Sequence, residues 1–120
     1  MNYTSIEQSK HLLELGLKPE TADMYYVQLS EGLDEYTALL KRPQCNYEDD
    51  IQCWSIGALL KLIPNYGLRK MGGRLLISFY SAPRITPTPN HVIDDCVNEL
   101  DAVYQMVCWL LQNNYYIKTE

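Results

Sequence analysis

The densest set of residues that could do chemistry is the stretch His91-Val-Ile-Asp94-Asp95-Cys96. Zinc needs three or four converging nitrogen, sulfur or oxygen ligands, and this stretch supplies several without the spacing of a known zinc motif. A nucleophilic Cys96–His91 pair would need the thiol and the imidazole within hydrogen-bond reach, which nearness in sequence does not provide. We therefore predict no metal site and no catalytic residue here, and a hydrolase-like use of His91 with its acidic neighbours remains a further alternative.

The other histidine lies within a helical pattern near the start of the chain. His11 is one helical turn from Glu7 and from Glu14, but ordinary exposed polar residues account for this spacing equally well. The chain has no G-x-S-x-G motif, no phosphate-binding loop and no dinucleotide fingerprint. These observations predict a protein that is not an enzyme and that holds no metal and no cofactor.

The segment Lys61–Arg84 contains five basic residues and no acidic one, although the chain as a whole has a net charge of −5. Basic groups on a hairpin can neutralise phosphates, and neighbouring aromatic rings can stack on bases. The candidate nucleic-acid-binding residues are Arg69, Lys70 and Arg74. The negative charge of the whole chain repels a polyanion at long range, and edge charges also keep a strand soluble. Nucleic-acid binding is therefore the alternative function.

Aromatic residues on or beside the last helical pattern are the candidate protein-interaction surface. Ten tyrosines and two tryptophans stand against one phenylalanine, and aromatic side chains are frequent anchors of protein interfaces. The candidates are Tyr104, Trp109, Tyr115 and Tyr116. The competing interpretation places them in the core, and for Trp109 we expect burial. The uneven charge distribution suits a protein partner or a homo-oligomer.

The first helix has clear start and stop signals. Thr4 and Glu7 have the spacing of a capping box, which predicts a helix from Ser5 to Glu14 or Leu15. Gly16 suits the left-handed position after the helix, and Leu17 can complete a Schellman motif. These residues are explained by capping and chain reversal, and none of them is left for chemistry.

The next stretch is ambiguous. Residues 24–29 favour a strand but could continue the turn that begins at Pro19. Leu33, Tyr36, Leu39 and Leu40 recur at helical spacing, which predicts a helix that starts after Ser30 and stops before Pro43.

A third helical pattern follows a capping serine. Ser55 is the predicted N-cap, and Pro64 ends this helix after little more than two turns. Gly57 inside it predicts a close approach by another element.

The last third of the chain reads as a hairpin, a strand and a long helix. Gly72-Gly73 joins Leu68–Met71 to Arg74–Tyr80 as a β-hairpin. His91–Val97 is either a strand or an early part of the last helix, and we favour the strand. Asn98 is the predicted N-cap of the last helix.

Length and composition predict one domain over residues 1–120, with an ordinary apolar core. The first ten residues lack the pattern of a signal peptide, and no apolar stretch is long enough to span a membrane. We therefore expect reduced cysteines and a cytoplasmic location. The expected fold is α+β: a small antiparallel sheet around a central hairpin, packed by three to four helices including a long C-terminal helix.

A resemblance to a known group of proteins rests on three segments of the sequence, which are Thr4–Met24, Trp54–Pro64 and Leu100–Tyr116. Together and in this order they resemble a group of small proteins of unknown function that is common in gut Bacteroides genomes and in their phages and prophages. The resemblance implies a cytosolic bacterial or phage setting and an α+β domain. It implies no catalytic role, because the group has no assigned activity. The expected function is that of a non-enzymatic protein-interaction module.

Overall fold

A computed structural model of the protein describes residues 2–28, 36–43, 45–47, 49–80 and 89–115. The chain forms two compact units, Met1–Ala58 and Leu59–Glu120. The prediction of a single domain over residues 1–120 stays a prediction.

In its described residues the first unit contains one complete helix and three short strands. They are α1 (Ile6–Glu14), β1 (Met24–Gln28), β2 (Tyr36–Leu40) and β3 (Ile51–Cys53), with a single 3₁₀ turn at Pro19–Thr21. The helix α2 (Ile56–Leu62) includes the boundary between the units. The second unit continues with β4 (Tyr66–Met71), β5 (Arg74–Phe79), β6 (His91–Cys96) and α3 (Glu99–Gln112).

The strands form two antiparallel sheets, with the orders β2-β1-β3 and β4-β5-β6. The described part of the chain is α+β with three α-helices, so the predicted fold of one small sheet with three to four helices is wrong. The sequence did not predict the first sheet as a unit because its strands are only three to five residues long. Runs this short carry little periodic signal.

The predicted helix around residues 33–41 is also wrong in its described part. Tyr36–Leu40 is the strand β2, which pairs with β1 from Met24↔Leu40 to Gln28↔Tyr36. Apolar residues at positions 36, 39 and 40 fit a helical spacing, but five residues are too few to distinguish the two periods. Backbone pairing with β1 decides the outcome, and the same pairing resolves residues 24–28 as a strand.

The helix α1 begins one residue later than predicted. Ser5 is its N-cap: the Ser5 hydroxyl accepts from the Gln8 amide at 3.1 Å, and the Gln8 side chain accepts from the Ser5 amide at 2.9 Å. The predicted Thr4–Glu7 capping box is therefore wrong. The predicted Schellman motif is confirmed, because Gly16 has φ +100° and the Leu17 amide donates to the Leu12 carbonyl at 3.0 Å.

Thr4 instead ties the start of the chain to the first sheet. Its side chain is fully buried, and its hydroxyl accepts from the Trp54 amide at 3.1 Å and lies 2.8 Å from the Ser9 hydroxyl. The Thr4 carbonyl accepts from the Tyr26 phenol at 2.6 Å and from the Cys53 thiol at 3.3 Å. Buried polar groups need such partners, so this cluster fixes where α1 meets β1 and β3.

Ser55 confirms its predicted capping role, since its hydroxyl accepts from the Ala58 amide at 3.1 Å. The Asp23 carboxylate accepts from both the amide and the hydroxyl of Ser55. The predicted close approach at Gly57 is wrong. Among the described residues a methyl group at Gly57 would meet only the Ser55 hydroxyl oxygen, 3.8 Å away.

The second sheet is built on the predicted hairpin. Gly72 and Gly73 both have positive φ, +57° and +81°, as a two-residue turn of type I′ requires, and Met71 pairs with Arg74 across it. The strand alternative for residues 91–96 is confirmed by β6, which pairs with β5. Asn98 caps α3 as predicted, accepting from the Asp101 amide at 2.9 Å.

Candidate functional site

A groove of about 770 Å³ lies in the first unit, at the end of β2. The strands β1 and β2 line it with Met24, Tyr25, Leu39 and Leu40. The segment after β2 completes it with the side chains of Lys41, Arg42, Cys45 and Tyr47. Apolar walls with a small number of polar groups are the usual composition of a binding site.

Tyr47 holds the segment after β2 in place. Its ring lies 4.4 Å from the Tyr25 ring, centroid to centroid, and its phenol accepts from the Arg42 amide at 2.8 Å. Its carbonyl accepts from the Gln52 side-chain amide at 2.6 Å, and Gln52 is itself buried on β3. The chain that leaves β2 is therefore tied back to both other strands of the sheet.

The strand β2 forms an edge that the described chain leaves unpaired on one side. It pairs with β1, and in the described part of the chain no further strand pairs with it. Leu40 is 68% exposed, Leu39 45% and Tyr36 39%. Leu40 and Tyr36 lie on one face of the sheet and Leu39 on the other, because successive side chains of a strand alternate.

Two cations follow this apolar edge directly. The Lys41 ammonium lies 3.3 Å from the Pro19 carbonyl and 5.7 Å from the centre of the Tyr47 ring. Burial lowers the pKa of Lys41, against the opposing effect of nearby acidic side chains. Arg42 is exposed, and no described carboxylate forms an ion pair with Lys41 or Arg42. The groove is thus apolar with two cations at one end, where the charges of Asp23, Glu20 and Asp50 act on Lys41.

The second unit carries a cluster of aromatic rings. Trp109 stacks on His91 at 4.0 Å and on Tyr115 at 5.2 Å, and the buried Phe79 contacts both Trp109 and Tyr115. Tyr115 reaches the cluster because α3 ends in a second Schellman motif. Asn114 has φ +59° and the Tyr115 amide donates to the Leu110 carbonyl at 3.0 Å.

The structure brings together only part of the predicted interaction surface. Trp109 and Tyr115 are in contact, and Trp109 is half-buried with its ring engaged inside the unit. Tyr104 lies elsewhere on α3, beside Cys108, and burial raises the pKa of its phenol. Tyr116 lies outside the described residues. This surface stays a prediction, with Tyr115 its most exposed described member.

The three predicted nucleic-acid-binding residues do not share one surface. Arg69 and Lys70 are consecutive residues of β4, so their side chains leave opposite faces of the sheet. Arg74 forms an ion pair with Asp94, with 3.2 Å between the nitrogen and the oxygen. The site stays a prediction, and its charge is partly neutralised by β6.

The stretch 91–96 does not form a Cys–His pair. His91 lies opposite Phe79 and Cys96 opposite Leu75, at the two ends of β6, about 13 Å apart because these partners are four residues apart on β5. Burial, followed by the charges of Asp101, Asp94 and Asp95, raises the pKa of the Cys96 thiol. Among the described residues no three His, Cys, Asp or Glu side chains converge on a position for a metal ion.

The sequence interpretation missed the groove because it assigned β2 to a helix. One signal was available: Tyr36-Thr-Ala-Leu-Leu40 contains no charged residue and no proline, which fits a strand that pairs. The Asn113-Asn114-Tyr115 sequence likewise indicates a left-handed cap followed by an apolar contact.

None of the helices in the described ranges has the length and apolar composition of a membrane span. A comparison of the chain with protein-family models, with curated proteins and with solved structures finds no match.

Proposed function

We propose that the protein is a non-enzymatic protein-interaction module that acts in the cytoplasm of a bacterium or of a cell infected by its phage. The setting is supported only by the resemblance of Thr4–Met24, Trp54–Pro64 and Leu100–Tyr116 to a bacterial and phage group. The mode of action is supported by the edge strand β2, the observation that carries the proposal. An exposed sheet edge binds an extended chain through main-chain hydrogen bonds.

The side chains around β2 suit this mode of binding. Leu39 and Leu40 are exposed on opposite faces of the edge, so an added strand would cover apolar surface on both. The groove beside Tyr25 and Tyr47 provides room for a side chain of the partner. Burial of such surface contributes about 25 cal/mol per Å² before the costs of association are subtracted.

The test is a selection of random peptides displayed on phage against the immobilised protein. We expect enrichment of extended apolar peptides, and we expect Leu40→Lys to lose most of it, because a charge on the edge opposes strand addition. Val97→Lys is the matched control, since Val97 is an apolar residue of the second unit that is 86% exposed. A protein that enriches no peptide and stays a strict monomer in light scattering would overturn the proposal.

Nucleic-acid binding by the basic hairpin is the alternative, and the same preparation tests it. Retention on heparin, or a salt-dependent mobility shift of DNA or RNA, would favour it. The double variant Lys70→Glu with Arg74→Glu should then abolish binding. Unchanged binding in that variant would exclude the hairpin as the site.

A further inference from the structure

We infer that the partner of β2 is β2 of a second copy of this chain, paired antiparallel about a two-fold axis. Two three-stranded sheets would then join into one sheet of six strands. The inference rests on the proposed function, because it names the occupant of the same edge. It adds the identity, the direction and the register of that occupant.

The edge lacks the features that prevent strands from pairing. Natural edges are protected by charges, prolines, bulges or a covering element. Tyr36–Leu40 has no charge and no proline, and it pairs with β1 in an uninterrupted register, without a bulge. The helix α1 packs against β3, which is the strand at the opposite edge of the sheet from β2. The described residues thus leave β2 open to a further strand.

The strand is complementary to itself in the antiparallel direction. If Ala38 lies on the two-fold axis, Tyr36 of one copy stands opposite Leu40 of the other, and Thr37 stands opposite Leu39. Opposite residues share a face of the sheet, so each exposed apolar residue acquires a neighbour. An aromatic ring opposite an aliphatic side chain is a favourable cross-strand pair. This register also brings Tyr36 of the second copy beside Leu40, which lines the groove.

Charge selects the antiparallel direction. Lys41 and Arg42 directly follow β2, and no described carboxylate pairs with them. Parallel pairing in register would bring Lys41 and Arg42 of one copy beside Lys41 and Arg42 of the other, and these like charges would repel. Antiparallel pairing places them at opposite ends of the paired strands.

The decisive experiment is disulfide trapping. In this register the Cα atoms of Ala38 in the two copies are about 4.5–5.5 Å apart, within the range that a disulfide bridges. Ala38→Cys should therefore give a covalent dimer under mild oxidation, identified by mass spectrometry of the linked peptide. In Leu40→Cys the two positions are about 14 Å apart along the strands, so this variant should stay monomeric on a non-reducing gel.

The unmodified chain is the second control, because it contains the exposed Cys45. Dimers that form equally in all three proteins would come from Cys45 and would overturn the inference. Dimers that form equally well at positions 38 and 40 would indicate parallel pairing, which also overturns it. Failure of Ala38→Cys to cross-link while Leu40→Lys still loses peptide binding would reject the second copy and leave the proposed function standing.

Light scattering provides an independent measurement of the edge contact. We expect a concentration-dependent dimer whose dissociation constant rises at least about tenfold in Leu40→Lys, since the substitution places a charge on the apolar edge. Val97→Lys makes the same change on an exposed residue of the second unit and should leave the constant unchanged. Equal effects of the two substitutions would show that the interface lies away from β2.

Discussion

The two sheets are built alike but differ at their edges. Each has three antiparallel strands, yet β4 exposes Arg69 and Lys70 beside its exposed Tyr66 and Met71, while the exposed residues of β2 are all apolar. Charges on an edge strand prevent pairing with other chains, and an apolar edge permits it. The difference suggests that the basic hairpin protects the second sheet and that the first sheet makes contact with a partner.

The helices that pack on the two sheets differ in the same way, because one covers its sheet more completely than the other. The helix α3 packs on β5 and β6, and the central strand β5 buries Leu75, Ile77 and Phe79. The helix α1 packs on β3, and no residue of β1 is fully buried. The second sheet thus has its main apolar face covered within its own unit. The first sheet keeps half-buried side chains that a further strand could cover.

The largest expected effect contrasts the apolar residues of the two sheets. Phe79→Ala should lower the free energy of unfolding by about 3–5 kcal/mol, because Phe79 is 2% exposed and contacts Trp109 and Tyr115. Leu40→Ala should change it by less than about 0.5 kcal/mol. Denaturant unfolding at low protein concentration measures both. Comparable losses would mean that β2 is covered after all.

The next largest effect concerns the buried hydrogen-bond cluster around Thr4 in the first unit. Thr4→Val keeps the shape but removes the acceptor of the Trp54 amide, while the Ser9 hydroxyl keeps its hydrogen bond to the Ser5 carbonyl. We expect a loss of about 1–3 kcal/mol in the free energy of unfolding, the cost of leaving the buried amide unpaired. Thr4→Ser retains the hydroxyl and should lose less. A Thr4→Val protein as stable as the unmodified one would contradict the role given to this cluster.

The loss of stability at alkaline pH should also depend on buried groups of the first unit. Burial raises the pKa of Tyr26 above its ordinary value of 10.0 and that of Cys53 above 9.0. A raised pKa means that the folded state retains the proton longer than the unfolded state. The stability from these groups is therefore complete below their ordinary pKa values and is lost as the pH rises through the folded ones.

The variant Tyr26→Phe separates the contribution of the Tyr26 phenol to this pH dependence from that of the Cys53 thiol. At neutral pH the variant should lose about 1 kcal/mol, because the Thr4 carbonyl loses a hydrogen-bond donor. Above about pH 10 its stability should fall less steeply with pH than that of the unmodified protein. Denaturant midpoints across this range measure the slopes. Parallel curves for the two proteins would show that Tyr26 does not contribute to the alkaline loss.

The sequence predicted local structure where one or two residues decide it. Gly16, Gly72-Gly73 and Asn98 each act within a few residues, and the Schellman motif, the hairpin and the helix cap follow from them. The sequence-based prediction failed where contacts between residues far apart in the chain decide the local structure. Residues 36–40 fit a helix until β1 is placed beside them, and the Thr4 hydroxyl meets the Trp54 amide 50 residues away. The candidate groove depends on the first of these long-range contacts, the pairing of β2 with β1, which explains why periodicity did not reveal it.

The last comparison concerns how the helix of each unit ends. Gly16 after α1 and Asn114 after α3 both have positive φ, +100° and +59°. Replacement of either by alanine should cost about 1–2 kcal/mol, because a Cβ atom is strained in this region. Asn114→Gly should change stability by no more than a few tenths of a kcal/mol, since glycine adopts the same conformation freely. If Asn114→Ala also shifts the fluorescence of Trp109 while Gly16→Ala does not, the cap positions Tyr115 on the ring. An unchanged spectrum would mean that Tyr115 is held by its stacking alone, and the aromatic cluster would then be independent of the helix end that precedes it.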